Sequence, residues 1–227
     1  VGSEMCIRDW IVEIEDQSAL LAFLSGGGQR WAVLPADELG RVNRGYRRQT
    51  GQHIYVADAR SARLLLVAAK PLAGRPNQSF ITKAVLADDP AARNRVDAVF
   101  DDRVALIGYD LDLPDTDFVG AGQRFTLTWY WRVLERPPSG YKVFVHIDGD
   151  GLRLNGDHDP VDGRYPPKLW ESGDVIADTQ ELTVPDNFGR GDYVMYVGWF
   201  SGSKRLTVES GPNDGADRVR AGVLRVR

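Results

Sequence analysis

Apolar and polar residues alternate along most of the chain beyond residue 103. The segments RVALIGYDLDL (103–113), RFTLTWYWRVL (124–134), YKVFVHID (141–148), DVIADTQELTVP (174–185), DYVMYVGWF (192–200) and AGVLRVR (221–227) all carry this period of two. Successive side chains of a strand point to opposite faces of a sheet, so the period predicts strands with one buried face. Clusters such as ERPPSG, DNFGRG and SGSK separate them with turn residues. Several short strands at this spacing predict an antiparallel β-sandwich of jelly-roll kind over 103–227.

Upstream the period changes. WIVEI (10–14) suits a strand, and DQSALLAFLSGGG (16–28) offers Asp16 or Ser18 as a helix N-cap, an apolar face of Leu20, Leu21 and Leu24, and a glycine stop. RWAVL (30–34) has the look of a short buried strand. After Pro35, ADELGRVNRGYRRQTG (36–51) sets Leu39, Val42 and Tyr46 at helical spacing, with acids in the first turn and arginines in the last, as the helix dipole favours. Gly51 closes it. HIYVAD (53–58) and RLLLVAA (63–69) read as two more strands. The order β-α-β-α-β-β predicts a small α/β domain over 10–85, its helices on one face of a sheet. KPLAGRPNQSF (70–80) is the clearest break in pattern, and 86–102 reads as the linker into the sandwich. The fold class expected of the whole chain is α+β.

At 227 residues there is length for two domains, each with its own core. The composition, 43% hydrophobic and 26% charged, is that of a globular protein. A net charge of −4, with cations scattered among the acids, leaves no basic stripe and excludes nucleic acid as a partner. No apolar run approaches the roughly 20 residues needed to cross a bilayer. VGSEMCIRD (1–9) resembles translated sequencing-adaptor DNA of metagenomic assemblies, so it is left out of fold reasoning and the chain is expected to be a piece of a longer protein. Its Cys6 is the single cysteine, so neither an internal disulfide nor a Cys-ligated zinc site is available.

The densest chemistry lies in VHIDGDGLRLNGDHDPVDGRYPPKLW (145–170). Asp148, Asp150, Asp157 and Asp159 are candidate ligands for a hard cation, calcium above all, although no cofactor is required by the sequence. The EF-hand register fails: counted from Asp148, the sixth position is Arg153 in place of glycine and the twelfth is Asp159 in place of glutamate. DGDG between alternating segments is first of all hairpin-turn chemistry. Asp157, His158 and Asp159 place an imidazole between two carboxylates, with His146 on the preceding strand; this group could hold zinc or iron, or serve a hydrolase. Its spacing matches no known metal rule. No G-x-S-x-G nucleophile motif occurs, and SGGGQR lacks the lysine of a phosphate loop. Trp129 and Trp131, two apart, share one sheet face. With Tyr165, Trp170 and Arg164 beside Asp157, His158 and Asp159, they are candidates for sugar binding, in which flat rings stack on the C–H faces of a saccharide. The competing reading makes both tryptophans sandwich core.

The combination F-x-H-x-D-G (144–149) with G-x-Y-P-x-x-x-W-x-x-G-D-x-x-x-D (163–178), followed by GDYVMYVGWFSGSKRL (191–206), resembles the C-terminal soluble β-domain of bacterial membrane glycosyltransferases related to the dolichyl-phosphate-mannose protein mannosyltransferases, glycosyltransferase family 39. The segment 30–69 is similar to the α/β stretch that follows their last membrane helix. Pro167 departs from the pattern, which more often has threonine there. The resemblance implies a polyprenyl-phosphate-sugar-dependent enzyme whose catalytic acids lie in a membrane-embedded half that this sequence does not contain. It implies for the present chain a non-catalytic accessory region on the extracytoplasmic, periplasmic face of the bacterial inner membrane. Its partners would be that membrane half and an acceptor glycan or protein. Two alternatives stand beside it: a free-standing carbohydrate-binding module with a structural calcium, and a hydrolase using Asp157, His158 and Asp159.

Overall fold

The structure, a computed structural model, describes residues 13–14, 16–115 and 117–227. The adaptor-like stretch, Cys6 and most of the expected strand at 10–14 lie outside the described residues. The chain divides into two compact units, Val1–Ser79 and Phe80–Arg227.

In the first unit Asp16 caps α1 (Gln17–Ser25), its carboxylate accepting the Ala19 N–H at 2.8 Å. Strand β1 (Trp31–Pro35) leads through one 3-10 turn into α2 (Leu39–Thr50), which Gly51 ends in the left-handed conformation (φ 74°). Strands β2 (Tyr55–Asp58) and β3 (Leu64–Ala68) complete a three-stranded sheet in the order β1-β3-β2, each neighbouring pair antiparallel. Leu34, Leu65 and Val67 are buried in a core with Leu21, Leu24, Leu39 and Val42. The stretch 70–80, expected as a break in pattern, ends where the two units divide, and most of it is stitched to β2. Asn77 accepts the Val56 N–H and donates to the Ile54 carbonyl, both at 2.9 Å, and the Tyr55 hydroxyl donates to the Arg75 carbonyl. One amide side chain thus does the work of a strand neighbour, which a proline- and glycine-rich sequence conceals.

The second unit opens with the short α3 (Ile81–Ala84) and β4 (Val85–Leu86), followed by β5 (Asn94–Phe100), β6 (Val104–Asp112) and β7 (Arg124–Val133). Strands β8 (Lys142–Gly149), β9 (Leu152–Asn155), β10 (Val175–Thr183), β11 (Gly191–Ser201), β12 (Lys204–Arg205), β13 (Val208–Ser210) and β14 (Val219–Val226) follow. One sheet has the order β13-β5-β6-β7-β10-β4. The other has β12-β11-β8-β9, with β14 also on β11. The fold is therefore mostly β, in several antiparallel sheets. Residues 86–102 are not a linker: β4 pairs with β10, and β5 pairs with β6 across five residue pairs. The alternation of β5 is broken by a bulge between Arg95 and Ala98, where Asp97 has φ 56°, so its period is lost to inspection.

Strand β7 shows how the core is made. Phe125, Leu127, Trp129, Trp131 and Val133 all point inward and are buried. The Trp131 ring meets that of Trp199 on β11 edge to face at 5.0 Å, and Trp170 meets Trp199 at 5.6 Å. Because β7 and β11 belong to different sheets, these indoles lock the two sheets face to face, an arrangement consistent with a β-sandwich. Truncating one of them to alanine would cost about 3–5 kcal/mol. The two sheets also meet at Gly222 on β14, where an added Cβ would stand 1.9 Å from the hydroxyl of Tyr109 on β6.

Candidate functional site

Strand β8 carries two sets of side chains. Val143, Val145 and Ile147 are fully buried beneath the sheet, so Phe144, His146 and Asp148 stand on its outer face. Register brings neighbours to them: Gly198 lies opposite Phe144, Tyr196 and Asn155 opposite His146, and Arg153 opposite Asp148. The β8–β9 connection is the hairpin the sequence suggests. Asp150 and Gly151 both have positive φ, 50° and 71°, which defines a type I′ turn.

On this face Asp148 accepts two hydrogen bonds from Arg153, at 2.6 and 2.7 Å, and faces Arg218 at 3.4 Å. Those bonds from Arg153 outweigh burial and hold the Asp148 carboxyl below the usual carboxylate range. Arg218 also pairs with Asp214 at 2.6 Å, and its guanidinium lies 4.2 Å over the Tyr196 ring. Arg205 covers Phe144 in the same manner at 4.7 Å. His146 sits between these groups, 9% exposed, its Nε2 3.6 Å from Asp157 and its Nδ1 without a hydrogen-bond partner among the described residues. Burial, then the Arg153 charge, lowers its pKa against the opposing pull of Asp157 and Asp148, favouring neutral imidazole. Three carboxylates, three guanidiniums and a neutral histidine are thus held in fixed positions on a half-buried surface. Such a face offers oriented donors and acceptors of both signs.

The acidic loop after β9 is built differently. His158 Nδ1 lies 2.8 Å from the Gly156 carbonyl and Nε2 lies 3.0 Å from Asp178, a carboxylate with no exposure at all. A carbonyl only accepts, so Nδ1 carries a proton, and a carboxylate at Nε2 favours a second, the imidazolium form. Burial works against that charge, but the hydrogen bond and charge of Asp178, with help from Gly156 and Asp157, raise the His158 pKa. The second oxygen of Asp178 accepts the Val161 N–H at 2.8 Å. That bond holds Val161 at φ 55°, a left-handed conformation that a β-branched residue seldom adopts.

These positions revise most of the candidates. Trp129, Trp131, Tyr165 and Trp170 have no exposed surface, so they pack the interior and present no ring to a sugar; the Trp170 indole donates to the Tyr165 carbonyl at 2.9 Å. Asp157 accepts the Val145 N–H, Asp159 binds Lys142 at 2.8 Å, and Arg164 lies over the Phe80 ring at 4.6 Å. The three side chains of the hydrolase group do not face one another either, since both ring nitrogens of His158 are engaged, by Gly156 and Asp178, and Asp159 binds Lys142. Asp150 is spent on the turn and Asp148 on its arginines. Among the described residues no three His, Cys, Asp or Glu side chains form a group able to hold a metal ion, and Asp148, Asp150, Asp157 and Asp159 are not brought together as one. Asp178, Arg153, Arg218 and Tyr196 escaped the sequence reading. Only Asp178 left a signal, as the last aspartate of the G-x-Y-P motif.

No family model matches the chain, and no curated protein does. Among solved structures it is similar to the crystal structure of the C-terminal domain of wzt, at 16% identity and a TM-score of 0.41, over 61% of this chain and 82% of that one. Likeness at that level leaves the architecture to be argued from the strands themselves. Among the described residues, no helix is long and apolar enough to cross a membrane.

Proposed function

We propose that this chain is a non-catalytic accessory region of a polyprenyl-phosphate-sugar-dependent membrane glycosyltransferase, exposed on the extracytoplasmic face, and that its second unit binds the acceptor glycan on the outer face of β8, β9 and β11. The observation that carries the binding reading is the network of Asp148, Arg153, Arg218 and Asp214, in which side chains fix one another and need not be ordered by a ligand. Saccharide hydroxyls donate and accept at once, and a charge-balanced set of planar side chains answers both needs. The family reading rests on the paired motifs. Phe144, His146 and Asp148 of the first build this face, while Tyr165, Trp170 and Asp178 of the second brace the loop beneath. Strands β7 to β11, which pass between the two sheets, support a jelly-roll-like reading of the sandwich within an α+β chain.

Two measurements test this. Glycan binding by calorimetry or array should be detectable for the native chain and at least about tenfold weaker in Arg218→Ala, because a hydrogen bond to a charged group is worth roughly 1.5–3 kcal/mol. Equal binding by both proteins, or none by a folded native chain, removes the binding reading. Recovering the upstream reading frame tests the family reading, which fails if that frame lacks several apolar segments of about 20 residues.

A further inference from the structure

The three-stranded sheet of the first unit leaves part of one face uncovered. Trp31, Val33 and Pro35 alternate onto that face of β1, where register sets them opposite Ala68, Leu66 and Leu64 of β3. On the β2 side the face is closed, since Tyr55, Ala57 and Ala68 pack with Leu66 and Leu72 beneath the 70–79 segment. On the β1 side it is open: Trp31 is 43% exposed, Val33 64% and Leu64 51%. Val33, Leu64 and Leu66 line a shallow groove there with Asp58, Arg60 and Ser61. An indole, two branched aliphatics and a proline side by side are more apolar surface than scattered exposure accounts for.

Charge distinguishes among the surfaces that could cover it. Residues 10–79 hold nine Lys and Arg against six Asp and Glu, a net +3, whereas residues 80–227 hold 18 against 24, a net −6. Locally, Arg63 precedes Leu64 at one end of the stripe, and Lys70 follows β3 at the other, two residues past Ala68, the partner of Trp31. Both are exposed, with no ion pair among the described residues; of the acids nearby, Asp58 is bound to Arg60 and Asp37 is the other at the Leu64 end. An apolar centre with unpaired cations at both ends, on the positively charged part of an otherwise acidic chain, suits a surface that is oily within and anionic at its boundary. A nucleic acid would use the cations and leave the indole and aliphatics unburied.

We infer that the open sheet face bearing Trp31, Val33, Leu64 and Leu66 docks on an anionic lipid bilayer, with the Trp31 ring at headgroup depth and Arg63 and Lys70 on the lipid phosphates. This surface belongs to the first unit and the glycan face to the second, and loss of glycan binding would leave it standing.

The test is co-sedimentation of the full chain with vesicles. It should bind mixed phosphatidylglycerol–phosphatidylcholine vesicles about tenfold more strongly than pure phosphatidylcholine, and high salt should reduce the difference. Val33→Asp/Leu64→Asp alters exposed side chains only, so the circular dichroism of the native chain should persist while vesicle binding falls by about tenfold. Trp31→Ala should weaken binding less. The inference is overturned if the native chain ignores phosphatidylglycerol vesicles or if the folded double variant binds them equally. It is also overturned if the native chain sediments as a dimer that the double variant splits, because the face is then the contact between two copies.

Discussion

The pair His158–Asp178 decides what the acidic loop is. A buried carboxylate is costly unless its charge is answered, and here an imidazolium and a backbone N–H answer it. Its chemistry follows from the proton count on His158. Because the folded-state pKa of His158 is raised, its contribution to stability is complete below the ordinary imidazole range and is lost as pH rises through the raised value. His146 has the opposite sign: its pKa is lowered, so its contribution is present above the ordinary range and is lost as pH falls. An NMR titration should therefore find His158 protonating at higher pH than His146. In Asp178→Asn, burial acts on His158 without its counter-charge and the order should collapse; an unmoved His158 would refute the imidazolium assignment. The same substitution should cost on the order of 3 kcal/mol in acid, measured by denaturant unfolding, and less as pH rises. None of this was legible around residue 158 itself. Asp178 is 20 positions away on β10, where an inward carboxylate looks like any polar position of an alternating strand, and Arg218 meets Asp148 from 70 positions away.

At the scale of the element, alternation was an accurate guide wherever a strand keeps one register along its length. Strand β7 has no bulge against β10, and every second residue from Phe125 to Val133 is buried. Strands that are only two or three residues long, such as β4, β12 and β13, have no period to read, and β5 loses its own at the Asp97 bulge. The segment 70–80 shows the converse, since its composition is that of a loop while Asn77 ties it to the sheet. Two glycines of the second sheet are needed for different reasons, which can be separated. Gly151 has φ 71° with open space around its Cβ position, so Gly151→Val should cost about 1–2 kcal/mol through the backbone alone. At Gly198 a Cβ would stand 2.4 Å from the Phe144 ring, so Gly198→Ala should cost about 1–3 kcal/mol through packing. Chemical denaturation of the singles and of each combined with Phe144→Leu distinguishes them: the smaller side chain should relieve Gly198→Ala and leave the cost of Gly151→Val unchanged.

At the scale of the whole molecule, the sequence indicates two domains, and the structure moves their division to Ser79 and Phe80. That shift has a consequence for what can fold alone. Every strand of both sandwich sheets, from β4 to β14, comes from residues 80–227, and so do the four indoles that join them, Trp129, Trp131, Trp170 and Trp199. The rings that these indoles meet, those of Phe100, Tyr109 and one another, also belong to this unit. The segment 80–227 expressed by itself should therefore unfold in one cooperative transition. Because all four of its tryptophans are fully buried, its fluorescence should be blue-shifted and resistant to acrylamide until that transition, then move to the red in a single step. The full chain adds Trp10 and Trp31, the latter at 43% exposure, and should gain a quenchable component that Trp31→Ala diminishes. Red-shifted, readily quenched emission from the isolated segment would mean that the indole core forms only with help from the first unit. A cut at residue 103, which removes β4 and β5, should by contrast yield a segment that aggregates, since β6 would keep β7 but lose β5 and become an unprotected edge.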